Sequence, residues 1–123
     1  MREADLQALL LRRLNAPHSG VRVWRQNAGQ LVTTRGTMRG APRGAADLCG
    51  LVEPEGFHLE VEVKGRRTKH TDAQKSWGKM LGRMGGIYVV ARVQPQLSDE
   101  ENVEHALDAV QLAVAVRRAR GCA

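Results

Sequence analysis

Long apolar runs and cysteines are scarce in this chain of 123 residues. No uninterrupted apolar stretch approaches the roughly 18 residues that a membrane-spanning helix needs. The two cysteines, Cys49 and Cys122, fit neither a disulfide framework nor the spacing of a zinc site. The chain starts with the charged sequence Met-Arg-Glu-Ala-Asp, which is not typical of a secretory signal peptide. We therefore expect a soluble, intracellular protein of the cytoplasm.

Acidic residues are also in deficit, with 13 Asp and Glu against 19 Lys and Arg, so the formal net charge is +6. Such an excess of positive charge favours a polyanionic partner. The length predicts a single domain over residues 1–123, which would bury about two-thirds of its unfolded surface. Within it we expect a core over residues 1–92 and a C-terminal helix over about 98–119. No internal repeat is visible.

The stretch from Asp47 to Lys64 predicts a β-hairpin. Residues 57–64 alternate between apolar and polar side chains, as a strand with one packed face requires. The sequence Glu53-Pro-Glu-Gly56 before them is typical of a tight turn. If Glu53 lies opposite Gly56, counting outward fixes the register of the two strands. The predicted pairs include Val52 with Phe57, Cys49 with Glu60, and Asp47 with Glu62.

This register places Asp47 and Glu62 opposite each other, with Glu60 and Lys64 on the same face. Directly opposed side chains lie about 4.5–5.5 Å apart at Cβ. Like charges in that position are costly unless something neutralises them, and a divalent cation beside a lysine would do so. The alternative is that the pattern Glu-x-Glu-x-Lys forms the solvated face of an edge hairpin. The pattern alone does not decide between the two.

Three stretches predict helices. Residues 2–14 have an amphipathic pattern whose apolar stripe includes Glu3, which is either functional or a favourable acid at a helix N-terminus. A second helix should run from a cap at Thr71 to about residue 84, with Gln74 completing a capping box. The third covers about residues 98–119 and should begin at a second capping box, formed by Ser98 and Glu101. The sequence does not show whether its apolar face packs on the core or on a second subunit.

Two strands and two basic segments complete the chain. Residues 21–27 predict a first strand, and the apolar residues 87–91 predict a central strand parallel to the second hairpin strand. Residues 28–44 lack periodicity and predict a loop, which is either disordered or a basic flap that binds phosphates. A second basic turn covers residues 65–70. The cations of these two segments are Arg35, Arg39, Arg43, Arg66, Arg67 and Lys69.

The predicted order of elements, with Asp47 before the hairpin and Glu62-Val-Lys64 ending it, resembles the PD-(D/E)xK nuclease superfamily. It resembles more closely the VRR-NUC (virus-type replication-repair nuclease) domain, and it is similar to Holliday junction resolvases. The likeness extends up to Arg92. Its matching motifs are Glu3, Arg25-Gln-Asn27 with Gly29, Gly44-Ala-Ala-Asp47-Leu, Gln74-x-x-Trp77, and Gly85 or Gly86. One departure is Ala46, where the family motif has proline.

The resemblance implies an α/β fold with a restriction-endonuclease-like core. This core is a central mixed β-sheet flanked by helices, in the order α-β-β-β-α-β, followed by a C-terminal helix. It also implies a DNA endonuclease dependent on Mg²⁺ or Mn²⁺, acting on junctions or flaps as a homodimer, and it leaves a viral origin open. One alternative is an inactive nucleic-acid-binding accessory protein of the same fold. A weaker one is a basic adaptor that binds a protein partner through its C-terminal helix.

The resemblance further implies a metal site. Asp47, Glu62 and the main-chain carbonyl of Val63 would bind Mg²⁺ or Mn²⁺, which prefer oxygen ligands and retain several waters. Lys64 would hold or help deprotonate the attacking water and offset charge on the phosphate. Glu3 would complete the site through a water or a second metal ion.

Other residues take supporting roles by the same resemblance. Gln74 would position Lys64 or the water, and Asn27 would reach a phosphate. Glu60 shares the face but lies one step beyond the metal, where it is either a supporting acid or merely exposed. The histidines have no assigned role.

Overall fold

The computed structural model describes residues 1–26 and 30–121, apart from the side chains of 30–33, 38 and 39. The elements are α1 (Glu3–Leu14), β1 (Val21–Arg25), β2 (Gln30–Thr33), β3 (Gly36–Arg39), β4 (Leu48–Val52), β5 (Phe57–Lys64), α2 (Asp72–Arg83), β6 (Ile87–Arg92) and α3 (Asp99–Ala119). The predicted helices and strands of the core are thus present within one or two residues of their expected ends. No helix in these ranges is long and apolar enough to cross a membrane.

A four-stranded mixed sheet in the order β1-β4-β5-β6 forms the centre of the fold. Strands β1, β4 and β5 are antiparallel, and β6 lies parallel to β5 after the crossover through α2. Strand β5 is buried on both faces from Leu59 to Lys64, as expected for a strand inside a covered sheet. The expected mixed α/β sheet flanked by helices is confirmed.

The two faces of the sheet have different coverings. Leu6 and Leu10 of α1 and Val103 of α3 join Val61 of β5 in one apolar core. On the opposite face, α2 packs against β6, and the indole N–H of Trp77 donates to Glu60 on β5. Glu60, Glu62 and Lys64 of β5 therefore lie buried on the α2 side of the sheet and not within the apolar core, whereas His58 on the same side is exposed.

The predicted hairpin register is confirmed for β4 and β5, including the pairs Val52–Phe57 and Cys49–Glu60. Asp47 precedes the first residue of β4 but stays in contact with both neighbouring strands. Its main-chain oxygen accepts a hydrogen bond from Gln26 N at 2.9 Å, and its carboxylate accepts one from Val63 N at 2.8 Å.

The prediction of a loop over residues 28–44 was wrong in part, because the structure has a second, two-stranded sheet there. Strands β2 and β3 pair antiparallel, with Thr33 opposite Gly36 across a two-residue turn. The β-branched residues at 32, 33, 34 and 37 favour strands. The arginines and glycines that alternate from residue 35 onward obscured this preference. The first strand of the main sheet also ends at Arg25, and Asn27 lies outside the described residues.

Capping boxes begin the second and third helices, as predicted. At α2, Thr71 Oγ1 accepts from Gln74 N while Gln74 Oε1 accepts from Thr71 N. At α3, Ser98 and Glu101 make the same reciprocal pair of bonds. Both helices therefore begin where side chains satisfy backbone N–H groups that lack a partner within the helix.

Candidate functional site

Asp47 and Glu62 form an acid pair at the end of the sheet where β4 begins and β5 approaches its end. Glu62 is buried among the polar side chains beneath α2, whereas Asp47 is only partly buried. Burial, followed by the neighbouring Asp47 carboxylate, raises the pKa of Glu62 to about 8. A carboxyl group with such a pKa is held in a position where a second negative charge is costly.

Lys64 lies beside the acid pair on the same face of β5. Its Nζ is 3.6 Å from Glu62 Oε1, and its side chain is buried. The ammonium group of Lys64 lowers the pKa of Glu62, but less than burial and Asp47 raise it. The positive charge of Lys64 therefore offsets only part of the cost of ionising Glu62 beside Asp47.

The backbone of Val63 faces the acid pair. Its N–H donates to Asp47 Oδ2, and in an extended strand the N–H and C=O of one residue point to the same side. The Val63 carbonyl therefore points toward the side of β5 on which Asp47 lies. This direction agrees with the expected contribution of a main-chain oxygen, although that contribution stays a prediction.

Glu3 reaches the end of β5 from the first turn of α1. Its Oε2 accepts hydrogen bonds from Gly65 N at 3.0 Å and from Thr68 Oγ1 at 3.1 Å. The carboxylate thus fixes the segment that directly follows Lys64. A direct or water-mediated role of Glu3 at a metal ion stays a prediction.

Glu60 is the residue beside the acid pair whose surroundings the sequence did not reveal. It is 2% exposed, so it is not part of a solvated face. Its Oε1 accepts from Gln26 Nε2, Ala46 N and Trp77 Nε1 at 2.9–3.0 Å. Its Oε2 lies 2.8 Å from His58 Nε2. The only sequence signal for this role was the position of Glu60 on the same face as the acid pair.

The hydrogen bond from Ala46 N to Glu60 fixes the residue that immediately precedes Asp47. Gly44 fixes the same segment from the other side, with a φ of +91°, a conformation that L side chains rarely adopt. A Cβ there would clash with the backbone of Ala73 at the start of α2. The segment 44–46 is therefore held between β5 and α2, and this sets the position of Asp47.

Gln74 has a structural role in the capping box of α2, where its side-chain oxygen binds Thr71 N. Its proposed action on Lys64 or on a water stays a prediction. Tyr88 on β6, opposite Glu60, was not singled out by the sequence. Its hydroxyl lies 3.0 Å from His70 Nε2, and burial together with the nearby acids raises its pKa strongly. Tyr88 and His70 therefore border the acid cluster beneath α2.

The predicted phosphate-binding cations lie on both sides of the acid pair in the sequence. Arg43 precedes Asp47, and Arg66, Arg67 and Lys69 follow Lys64; all four are exposed. Arg35 is also exposed, at the turn between β2 and β3. Asn27 and the side chain of Arg39 lie outside the described residues, so their predicted contacts have no counterpart here.

The donor chemistry of the acid pair fits Mg²⁺ or Mn²⁺. Proteins usually bind Mg²⁺ through one or two carboxylates, with waters and substrate phosphate completing the shell. Asp47 and Glu62 supply two carboxylates whose mutual repulsion a cation would relieve. Over residues 1–26 and 30–121, no three His, Cys, Asp or Glu side chains converge as a ligand set, and the role of Glu3 at a metal ion stays a prediction.

Comparisons of the chain with protein-family models, with curated proteins and with solved structures gave no match.

Proposed function

We propose that this protein is a divalent-metal-dependent nuclease with a PD-(D/E)xK core that hydrolyses phosphodiester bonds in DNA. The observation that carries the proposal is the cluster of partly buried Asp47 with buried Glu62 and Lys64. Two carboxyl groups and one ammonium group converge there at the end of a mixed sheet, and burial, followed by the neighbouring Asp47 carboxylate, raises the pKa of Glu62 to about 8. Purely structural carboxylates are usually paired more completely.

The chemistry follows from the charges in the cluster. A bound Mg²⁺ or Mn²⁺ would neutralise the scissile phosphate and make a bound water more acidic. Asp47 and Glu62 would hold the cation with the Val63 carbonyl. The ammonium group of Lys64 would hold the attacking water and stabilise the negative charge that develops on the phosphate oxygens.

The position of the exposed cations supports a nucleic-acid substrate. Arg43, Arg66, Arg67 and Lys69 flank the acid pair in the sequence and face solvent, where they are suited to bind phosphates on either side of a scissile bond. The preference for junctions or flaps and the homodimer rest on the family resemblance stated above.

The direct test is cleavage of labelled duplex, flap, four-way junction and single-stranded DNA, each with EDTA, Mg²⁺ or Mn²⁺. We expect metal-dependent cleavage of at least one substrate. Asp47→Asn, Glu62→Gln and Lys64→Met should each lower the rate at least about 100-fold, because each removes a charge that acts in the transition state. Asp108→Asn, which changes an exposed acid on α3, is the matched control and should retain full activity.

Calorimetric titration with Mn²⁺ separates this proposal from the alternative of an inactive accessory protein. The wild type should bind Mn²⁺, and Asp47→Asn should lose most of that affinity while still binding DNA. A wild type that binds DNA but neither Mn²⁺ nor Mg²⁺ would favour the accessory protein. A Glu62→Gln variant that cleaves at the wild-type rate would remove the catalytic assignment.

A further inference from the structure

Helix α2 covers only part of the polar face of the main sheet. It packs on β6 and reaches β5 through Trp77, and the ring of Tyr88 lies directly against Gly78. The same face continues across β4 and β1, where Trp24 is 48% exposed and Leu51 is 49% exposed. We call the surface formed by Arg22, Trp24, Leu51 and His58 the open sheet face.

The register shows that these residues share one face. Trp24 lies opposite Cys49, which lies opposite Glu60, and Arg22 lies opposite Leu51, which lies opposite His58. Directly opposed residues of a sheet project to the same side. The indole N–H of Trp24 lies close enough to the thiol of Cys49 to lower the pKa of that thiol, although burial raises it more.

Trp24 is more exposed than the other aromatic residues of the chain. The sequence has only four aromatic residues, and tryptophan is highly buried on average in folded proteins. Here one of the two tryptophans is half exposed beside an equally exposed leucine. An exposed apolar patch bordered by polar groups marks a binding surface more often than a stabilising one.

The open sheet face is continuous with the acid pair. Gln26, directly after β1, follows Trp24 by two residues, and its main-chain N–H donates to the main-chain oxygen of Asp47. The rows of Trp24 and Asp47 are therefore neighbours on one face, about 6.8 Å apart along the strand direction. Exposed Arg22 lies on the face itself, and exposed Arg43 lies in the segment leading to Asp47.

We propose that the open sheet face binds an unpaired nucleobase of the substrate, with its ring stacked on Trp24. This inference rests on the proposed nuclease function and names its substrate class, which is DNA with a single-stranded segment next to the cleaved bond. The aromatic face supplies sequence-independent stacking, and Arg22 and Arg43 supply positive charge for the flanking phosphates. A base inside a continuous duplex cannot reach the ring, because both of its faces are stacked on neighbouring bases.

The test compares two fluorescein-labelled DNAs with the full-length protein in EDTA, so that binding is measured without cleavage. One is a fully paired duplex, and the other is the same duplex with a single-stranded arm. Anisotropy titrations at one ionic strength use the wild type, Trp24→Thr and Trp24→Phe. The matched control is Leu112→Thr, which removes a large apolar residue that is 67% exposed on α3.

We expect Trp24→Thr to weaken binding of the armed DNA about 10-fold, from the loss of one stacked base. Duplex binding should change less than 2-fold, Trp24→Phe should retain most of the affinity, and Leu112→Thr should match the wild type. Armed DNA should also quench tryptophan fluorescence in the wild type and not in Trp24→Phe, because Trp77 is hydrogen-bonded beneath α2. This second measurement keeps the test decisive if Trp24→Thr does not fold.

Equal weakening of both DNAs, or no change in either, would overturn the proposal, as would quenching that persists in Trp24→Phe. The result is independent of catalysis. If binding depends on Trp24 but no metal-dependent cleavage occurs, the nuclease proposal is rejected and the stacking site is retained. If Trp24→Thr cleaves DNA and binds it with unchanged affinity, the stacking site is rejected and the nuclease proposal is retained.

Discussion

At the scale of single residues, Glu62 has the most informative surroundings in this protein. Burial and Asp47 raise its pKa from 4.5 to about 8, so without a cation its carboxyl group is mostly protonated at neutral pH. The folded chain then binds a proton that the unfolded chain has released. The stability of the metal-free protein must therefore depend on pH through this group.

We predict that Glu62 makes metal-free protein less stable as pH rises from about 4.5 to about 8. Over that range the folded state holds more protons than the unfolded state, so the free energy of unfolding falls. Urea unfolding of wild type and Glu62→Gln in EDTA, at several pH values, isolates the effect as a difference between the two proteins.

Toward pH 8, the free energy of unfolding of Glu62→Gln should rise relative to that of the wild type, because the amide cannot ionise. Asp108→Asn serves as the control and should follow the wild type at each pH. A constant difference between wild type and Glu62→Gln across the range would contradict the assigned pKa.

The proximity of Asp47 and Glu62 could be predicted from the sequence, but the surroundings of Glu60 could not. The proximity of the pair could be predicted by counting outward from the turn at residues 53–56, because the register of a hairpin is set by its turn. The environment of Glu60 depends on Gln26, Ala46 and Trp77, which lie 14 to 34 residues away and on three different segments. Alternation along β5 indicated which face Glu60 occupies and gave no indication of what covers that face.

At the scale of elements, Glu60 connects three separate segments of the chain by hydrogen bonds. One carboxyl oxygen accepts N–H groups from the end of β1, from the segment before β4 and from α2. Buried donors that lose their acceptor cost about 1–3 kcal/mol each. The position of Asp47 therefore depends on a residue that lies outside the acid pair.

We predict that Glu60→Ala lowers the free energy of unfolding by about 3 kcal/mol, because one buried and two partly buried N–H donors lose their acceptor. Glu60→Gln should cost less than about 1.5 kcal/mol, since its amide oxygen still accepts the same donors. Urea unfolding gives the stabilities, and Mn²⁺ titration of the folded fraction shows whether Asp47 has moved.

A Glu60→Ala protein as stable as the wild type would show that these hydrogen bonds do not hold the segment. Equal losses for both variants would point to the charge of Glu60 and not to its acceptor geometry.

Elements with strong local signals were predictable, and those without them were not. The capping boxes at Thr71 and Ser98 fixed the starts of α2 and α3 to the residue. The hairpin of β2 and β3 was missed because its strands have only four residues each and make a sheet of their own. Such short strands have no long alternation, and the surrounding glycines and arginines are more typical of a loop.

At the scale of the whole molecule, the net positive charge and the basic segment at residues 65–70 would determine how the affinity for DNA depends on ionic strength. Each phosphate contact releases a condensed counterion, so the logarithm of the binding constant falls with the logarithm of salt by about 0.9 per contact on duplex DNA. The affinity should therefore depend steeply on ionic strength.

We predict that replacing Arg66, Arg67 and Lys69 together with Gln lowers this salt slope by up to about 2.7, if all three contact phosphates. Anisotropy titrations of duplex DNA at several salt concentrations, in EDTA, measure the slope. Arg12→Gln, on the exposed side of α1, is the control and should leave the slope unchanged. A wild-type titration that is flat in salt would contradict a phosphate-binding role for these cations.

The confirmed pairing of β4 with β5 limits where residues can be inserted into or deleted from the chain. Because successive residues of a strand project to opposite sides, one inserted or deleted residue within either strand would rotate Asp47 or Glu62 to the apolar side of the sheet. The turn at residues 53–56 lies outside the paired segments and can change in length without that effect. Relatives that retain the acid pair should therefore differ in the length of this turn far more readily than in the number of residues on its two arms.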